Sequence, residues 1–282
     1  MMICLHVLLA PGPYRLRHSG ISPPSRGEIN LRLKRLSGAR MKVYVLSDLH
    51  IEFTDFVPPV LDVDLVILAG DIHTTHRGVE WASDTFECDV CYILGNHEFY
   101  RGHFDRTLEK ARAKAAPNVH ILENETFVFQ QTRFLGATAW TDFTATGDVS
   151  AAMSVARQEM TDFKLIRASS NYRKIRPDDI AARNRGTREW LTRELAKPFS
   201  GASIVITHHA PVPEVGWDEH EGHLGAAYFN AWHSLLMQAD AWVFGHTHHS
   251  IDMQLGGCRV ISNQRGYPGE DTGFDSRKVV EF

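Results

Sequence analysis

Cysteine is scarce in this chain, long apolar runs are missing, and positive charge is in short supply beyond residue 40. The four cysteines, Cys4, Cys88, Cys91 and Cys258, are too few and too scattered for a disulfide framework, so a reducing, cytoplasmic setting is expected. Cys88 and Cys91 form a C-x-x-C. A zinc site would want two further ligands at similar spacing and a redox pair would open a helix, whereas Cys91 begins the apolar run Cys-Tyr-Ile-Leu. Two thiols beside a buried strand is the simpler reading. No apolar stretch approaches the roughly 20 residues of a membrane-spanning helix, so no membrane partner is expected. Internal repeats and low-complexity tracts are also absent.

Residues 1–40 hold seven Lys or Arg (Arg15, Arg17, Arg26, Arg32, Lys34, Arg35, Arg40) against the single acid Glu28. That is +6 locally, so the −4 of the whole chain leaves −10 for residues 41–282. Such a domain is a poor match for duplex nucleic acid, whose affinity comes largely from Lys and Arg neutralising phosphates. The leader lacks basic residues before its short apolar stretch Ile3–Ala10, which runs into Pro11, and so does not resemble a secretory signal. Its Arg-rich, acid-poor composition fits an organellar transit peptide better. The reading preferred here takes Met41, directly before the first clear strand, as the natural start and residues 1–40 as a non-native or disordered extension.

What is present is enough apolar material, 43% of 282 residues, for one large domain or two small ones. From Met41 onward, strand-length apolar runs alternate with helical patterns, as in a layered α/β domain. Val43–Leu46, Leu65–Leu68, Cys91–Leu94, Ile204–Ile206 and Trp242–Phe244 read as buried strands. Phe104–Ala116, Thr187–Lys197 and Ala226–Gln238 read as helices, the first two ending at Pro117 and Pro198. Thr126–Gln130, Arg133–Thr138, Ile251–Leu255 and Cys258–Ser262 read as a second, hairpin-built sheet.

Each of the five buried strands is followed at once by a residue able to bind a metal: Asp48 and His50, Asp71, Asn96 and His97, His208, then His246 and His248. Ligands in open α/β sheets gather at the carboxyl ends of strands, so five separate segments would converge on one rim. Singly, the motifs are weak. Asp-x-His occurs three times, at Asp48/His50, Asp71/His73 and Asp218/His220, in a chain with 16 histidines. Ala-Gly-Asp, Gly-Asn-His and Gly-His-Thr-His carry more weight, because a residue without Cβ allows a sharp turn at a strand end. Together, carboxylate, imidazole and amide oxygen form a mixed N/O set suited to Mn, Fe, Zn or Co. A structural zinc needs only four ligands; seven imply two ions.

Asp-Leu-His, Gly-Asp, Gly-Asn-His-Glu, Thr-His-His-Ala-Pro and Gly-His-Thr-His, in this order over residues 41 to about 265, resemble the motif series of the calcineurin-like metallophosphoesterase family. Thr-Asp-Phe, a helical insert and Arg-Gly-Tyr-Pro-Gly-Glu further resemble a bacterial subgroup of mostly unassigned substrate. The resemblance implies a four-layer αββα sandwich of two mixed sheets, a catalytic domain over residues 41–282 and a helical insert at 140–185. It also implies two divalent cations, Mn first and Fe, Zn, Co or Ni as alternatives. One would be held by Asp48, His50 and His248, the other by Asn96, His208 and His246, with Asp71 bridging. The His-x-x-Pro form favours His208, with His209 in reserve.

The implied reaction is hydrolysis of a small phosphate mono- or diester by a hydroxide shared between the cations. Asp71 and His97 would be catalytic, His97 as general acid or phosphate-binding cation, with Asn96, His97 and Arg265 contacting substrate. Substrate choice is expected in residues 140–179, where Arg157, Lys164, Arg167, Arg173, Lys174 and Arg176 could steer a phosphate inward; a solvated helix face is the equal alternative. Trp140 and Asp142 are candidate wall residues. A nuclease, a metal-free scaffold on the same fold and a zinc-stabilised module are the rivals.

Overall fold

The computed structural model describes residues 40–216 and 222–282. The leader before residue 40, with Cys4, and the Asp218/His220 pair lie outside the described residues. Within Met41–Phe282, which forms one unit, the strands fall into two large sheets and a small hairpin. The first sheet contains β1 (Lys42–Leu46), β2 (Leu65–Ala69), β3 (Asp89–Ile93), β4 (Val119–Ile121) and β13 (Val279–Glu281), in the order β13-β1-β2-β3-β4. Strands β1 to β4 run parallel, and β13 closes the edge antiparallel to β1.

The second sheet contains β5 (Glu125–Phe129), β6 (Thr132–Ala137), β9 (Ala202–Thr207), β10 (Ala241–Phe244), β11 (Asp252–Leu255) and β12 (Cys258–Ser262). Its order is β11-β12-β10-β9-β6-β5, a parallel centre β12-β10-β9-β6 flanked by the two antiparallel hairpin partners. The hairpins therefore do not make a sheet of their own, as the sequence pattern suggested. Ile204–Ile206 and Trp242–Phe244 join them at its centre.

Side-chain alternation along the strands builds the layers. Tyr44, Leu46, Val66, Leu68, Val90 and Tyr92 pack in one cluster with Val79 and Ala82 of helix α1 (Arg77–Thr85) and Phe104 and Ala111 of α2 (Phe104–Lys114). On the second sheet, Leu135, Val205, Trp242 and Val260 pack with Leu191 and Leu195 of α5 (Pro177–Leu195) and Leu235 and Leu236 of α6 (His233–Leu236). The alternate residues, Val43, Val45, Ile67, Ile204, Ile206 and Val243, are fully buried and belong to neither cluster. They fill the space between the sheets. Gly136 on β6 marks the approach: a Cβ there would strike Ile93 of β3 and Leu122. The result is an αββα sandwich.

Between β6 and β9 lie α3 (Val149–Glu159), α4 (Asp162–Leu165), a short hairpin of β7 (Arg167–Ala168) and β8 (Arg173–Lys174), and then α5. The apolar spacing of residues 226–238 predicts one helix, but only a 3₁₀ segment Gly222–Ala227 and α6 form. Between them Phe229 bridges Ala210, Asn230 N–H donates to Ala210 O, and Trp232 N–H donates to Pro211 O. Tertiary hydrogen bonding overrides helix propensity there. Cys91 is buried on β3 and Cys88 half-buried before it, both free thiols whose pKa burial raises. No helix among the described residues is long and apolar enough to cross a membrane.

Candidate metal centre

The carboxyl ends of β1, β2 and β3 from one sheet and of β9 and β10 from the other meet at one edge of the sandwich. Asp48 and His50 follow β1, Asp71 follows β2, Asn96 and His97 follow β3, His208 follows β9, and His246 and His248 follow β10. Each chain must break off its strand sharply. Asp48, His50, Asp71, His246 and His248 all take left-handed backbone, with φ between 45° and 72°. For residues with a Cβ this costs of order 1–3 kcal/mol each, and such strain clusters at functional sites.

Hydrogen bonds across segments hold these turns in place. Asp48 N–H donates to Gly70 O at 2.9 Å, His50 N–H to Asp71 O at 3.0 Å, and His246 N–H to Asp48 Oδ1 at 2.9 Å. The glycines beside the ligands serve a purpose beyond turning. Gly70 does adopt positive φ, but at Gly95 and Gly245 the requirement is space: a Cβ would collide with Asp71 Oδ1 and Asp48 Oδ2 respectively.

Three groups of potential ligand atoms form, Asp48, His50 and His248 in one, Asp71, His208 and His246 in another, and His50, Glu52 and His97 in a third, each with its atoms within 4.8 Å of one another. The Asn96 amide oxygen lies 3.0 Å from His208 Nε2. The outward partners dictate which ring nitrogen carries a proton. His208 Nδ1 faces Ala69 O at 3.0 Å, His248 Nδ1 faces Glu270 Oε2 at 2.6 Å and His50 Nδ1 faces Glu52 Oε1 at 3.3 Å. Each must donate, which leaves Nε2 as an inward acceptor in the neutral ring.

His50 Nε2 then faces His248 Nε2 at 3.1 Å, and His208 Nε2 faces the Asn96 oxygen at 3.0 Å. The His50–His248 pair requires a shared proton or a cation between its nitrogens, and the His208–Asn96 contact requires a second proton on the ring or a cation in its place. His246 Nε2 and Asp48 Oδ2 are buried with no hydrogen-bond partner among the described residues. Unpartnered buried atoms beside facing lone pairs fit a cation centre with mixed N/O donors.

The electrostatics agree. Burial would raise Asp71, but His208, His97 and His50 hold it well below the usual carboxylate range. Burial would lower His208, but Asp71 and Asp48 outweigh it and push the ring up to about 10. Buried anions at this edge demand positive charge. His209, the reserve ligand, turns away: Nδ1 lies 3.3 Å from Thr138 O and the ring packs on Trp140, and burial pushes its pKa down to about 3.

His97 belongs to the third group, with His50 and Glu52, and lines the adjoining cavity of about 380 Å³. Its backbone N–H donates to Asp71 Oδ1 at 2.8 Å, Nδ1 is 2.7 Å from Glu52 Oε1, and Nε2 is 3.1 Å from Tyr267 Oη. Burial lowers its pKa, yet Asp71 and Glu52 prevail and raise it to about 9. Arg265 does not line this cavity but a neighbouring one of about 460 Å³, together with His50 and Tyr267. Its guanidinium donates to Leu49 O, Thr54 O and Asp55 O and lies over Phe56, so it anchors the loop after β1.

None of Arg157, Lys164, Arg167, Arg173, Lys174 and Arg176 lines the cavity either. The insert contributes Glu159, Met160 and Thr161, while Arg173 pairs with Asp179. Trp140 is core, packed on Phe99 and Phe104, and Asp142 accepts from the Thr144 amide in an exposed turn.

Sequence reasoning gave no role to several residues that shape the site. Glu98 is fully buried and accepts from the N–H groups of Asp71, Ile72 and Gly95 and from Tyr92 Oη. Burial and the Asp71 charge push it up to about 7 against those donors. Gln264 accepts from His248 N–H and donates to Thr247 Oγ1, and buried Asp162 bonds the Asn96 side chain. Glu98, Tyr267 and Glu270 all sit inside motifs that sequence alone singled out, in Gly-Asn-His-Glu and Arg-Gly-Tyr-Pro-Gly-Glu. Glu52, two residues past His50, carried no such signal.

Comparison with known proteins gives this geometry a lineage. A family profile described as calcineurin-like phosphoesterase matches residues 41–250. An uncharacterized protein, L509, of Acanthamoeba polyphaga mimivirus is 24% identical over 277 residues, covering 84% of this chain and 95% of that protein. The crystal structure of phosphopantetheinyl hydrolase from Mycobacterium tuberculosis is similar in fold, with a TM-score of 0.62 at 18% identity over 82% of this chain and 91% of that one. The family match spans most of the described domain, and the chain belongs to the calcineurin-like phosphoesterases, which are metal-dependent phosphoesterases.

Proposed function

We propose that residues 41–282 form the catalytic domain of a dinuclear hydrolase acting on a small phosphate mono- or diester. Asp48, His50 and His248 hold one divalent cation and Asn96, His208 and His246 the other, with Asp71 between them. The observation that carries this reading is the pairing of inward-facing acceptors at 3.0 and 3.1 Å beside the unpartnered His246 Nε2 and Asp48 Oδ2. Cations bound there would supply Lewis acidity, clamping phosphoryl oxygens and lowering the pKa of an attacking water. Mn is the first choice for this N/O set, with Fe, Zn, Co and Ni as alternatives.

The chain's own groups supply the remainder. Glu52 fixes the His97 ring through Nδ1 and favours its charged form, so that Nε2 offers a proton to the leaving oxygen. Tyr267 Oη, on Nε2, stands where a phosphate oxygen would replace it as partner. Asn96 Nδ2 donates to Tyr100 Oη, which turns the amide oxygen inward. The cavity wall carries Glu159, Glu270 and Asp271 and no Lys or Arg, which favours a compact ester over a nucleic acid strand.

The test is hydrolysis of a chromogenic phosphate monoester beside the matching diester, in chelated protein resupplied with Mn, Zn, Ni, Co or Mg. Metal-restored turnover on one of them is expected. His97→Ala should keep its metal content and lose about 10²–10⁴-fold in rate. Failure of every metal to restore either activity would leave the scaffold reading in its place.

A further inference from the structure

A further cavity, of about 260 Å³, shares no residue with the one beside the metal centre and has the opposite character. Arg101, Arg106, Lys110 and Arg167 line it, together with the hydroxyls of Thr75 and Thr107, and no carboxylate does. This is anomalous in a domain of net charge −10. Several bases elsewhere do pair with acids, Arg112 with Glu125, Arg173 with Asp179, and Arg259 and Lys278 with Asp252. The acids nearest the cavity in sequence bond bases outside it, Asp105 to Arg183 at 2.6 Å and Glu80 to Lys114 at 3.0 Å, and of its lining they meet the histidines, His103 at 3.9 Å and His76 at 3.6 Å.

The four cations are also held toward one another. Arg106 and Lys110 stand one turn apart on α2, a like-charge spacing that weakens an isolated helix. The Arg106 guanidinium lies 4.8 Å over the Tyr172 ring, and the Arg167 backbone bridges that of His103. One ring nitrogen of His103 accepts from Asp105 N–H and the other donates to Ser169 O. Repulsion among four cations gathered in a concave site is relieved by an anion that several of them can share.

We propose that this cavity binds a small polyanion carrying two or more phosphate groups, independently of the metal centre. A concave pocket of this size suits a compact ligand, whereas a nucleic acid strand would need an extended basic track.

Isothermal titration of pyrophosphate into the full-length, metal-loaded protein should resolve a binding event that His246→Ala leaves in place. Arg106→Glu combined with Arg167→Glu should weaken that event by about tenfold or more, the scale of losing one charge-assisted contact, and added salt should weaken it further. Should the charge reversals disturb folding, Arg101→Gln with Lys110→Gln, both at exposed positions, gives the same reading. No binding in the His246→Ala protein, or affinity indifferent to both pairs, overturns the proposal. Orthophosphate binding as tightly as pyrophosphate, or a short oligonucleotide binding far more tightly, overturns the ligand class.

Discussion

Glu98 is the buried post on which the metal-centre turns hang, and its removal should be felt first in stability. Its Oε2 accepts from Asp71 N–H at 3.0 Å and Gly95 N–H at 2.7 Å; its Oε1 accepts from Ile72 N–H at 2.9 Å and Tyr92 Oη at 2.8 Å. Glu98→Ala leaves four donors without acceptors at positions closed to solvent. At about 1–3 kcal/mol per orphaned group the sum is roughly 4–12 kcal/mol. Because neighbouring losses are not additive and water can enter the space, the lower end is the figure to expect, about 4 kcal/mol. Against a typical domain stability of about 5–15 kcal/mol, that leaves roughly 1–11 kcal/mol, a folded protein with a much lower urea midpoint.

Glu98→Gln separates shape from charge. With the amide nitrogen at the Oε1 position, the Tyr92 hydroxyl can turn and accept, so one N–H, that of Ile72, is orphaned at about 1–3 kcal/mol. At roughly 2–4 °C per kcal/mol for a domain of this size, the melting temperature should fall by roughly 2–12 °C. Urea unfolding at pH 8, where Glu98 is ionised in the parent, with chelator in every sample, reads both variants without a contribution from bound metal. Exposed Glu159→Ala serves as the control, within about 0.5 kcal/mol of the parent. An alanine variant matching the parent midpoint, or a glutamine variant as costly as alanine, would refute the account of Glu98 as a multiple acceptor.

Further outcomes follow from the same geometry. Glu270→Ala removes the acceptor that orients His248 and should lower metal affinity by about 10–100-fold, read by competition with a chromophoric chelator. Metal should raise the melting temperature in a concentration-dependent way, by about 2.7 kcal/mol of stability for one site at a hundredfold excess over Kd, while a chelator abolishes the increment. In the metal-free protein His97, raised from 6.5 to about 9, contributes stability that is whole below pH 6.5 and is lost as pH rises through 9. Glu52→Gln should move that loss to lower pH, as followed by NMR of the ring; a titration unmoved by it would remove Glu52 as the partner. Gly95→Ala forces a Cβ onto Asp71 Oδ1 and should cost more metal affinity than Gly147→Ala, where a Cβ meets open space.

The strands were legible because each is a short apolar run ended by a polar or glycine residue, and a buried parallel strand can look like little else. What the runs could not reveal was their neighbours. Pairing depends on which edges meet after collapse, so the hairpins seemed a sheet of their own until β6 was found beside β9. Edge strands were missed for a related reason: Val119–Ile121 and Val279–Glu281 are three residues each, too short for a period to show. The failed helix at 226–238 shows the limit from the other side. Its apolar spacing is helical, but Ala210 and Pro211 offer its backbone better partners than its own turns do.

At the metal centre the division between legible and illegible follows the range of the interaction. A ligand must stand where its strand ends, so strand end and chemistry read together, and the sequence carries both within a few residues. An orienting group answers only to the atom it faces. Glu270 reaches His248 from 22 residues away, and Glu52 reaches His97 across 45; in a chain with 34 acids, neither differs in composition from a solvated surface residue. Glu98 shows that proximity alone does not help: three residues beyond Gly95, within a motif already noticed, it was still one more acid on a turn. Its distinction is complete burial with four donors aimed at it, and that exists only once β2 and β3 lie side by side and bring Asp71, Ile72 and Gly95 to the same carboxylate. The candidate ligands could therefore be singled out from local pattern, whereas the groups that face them are products of the assembled fold.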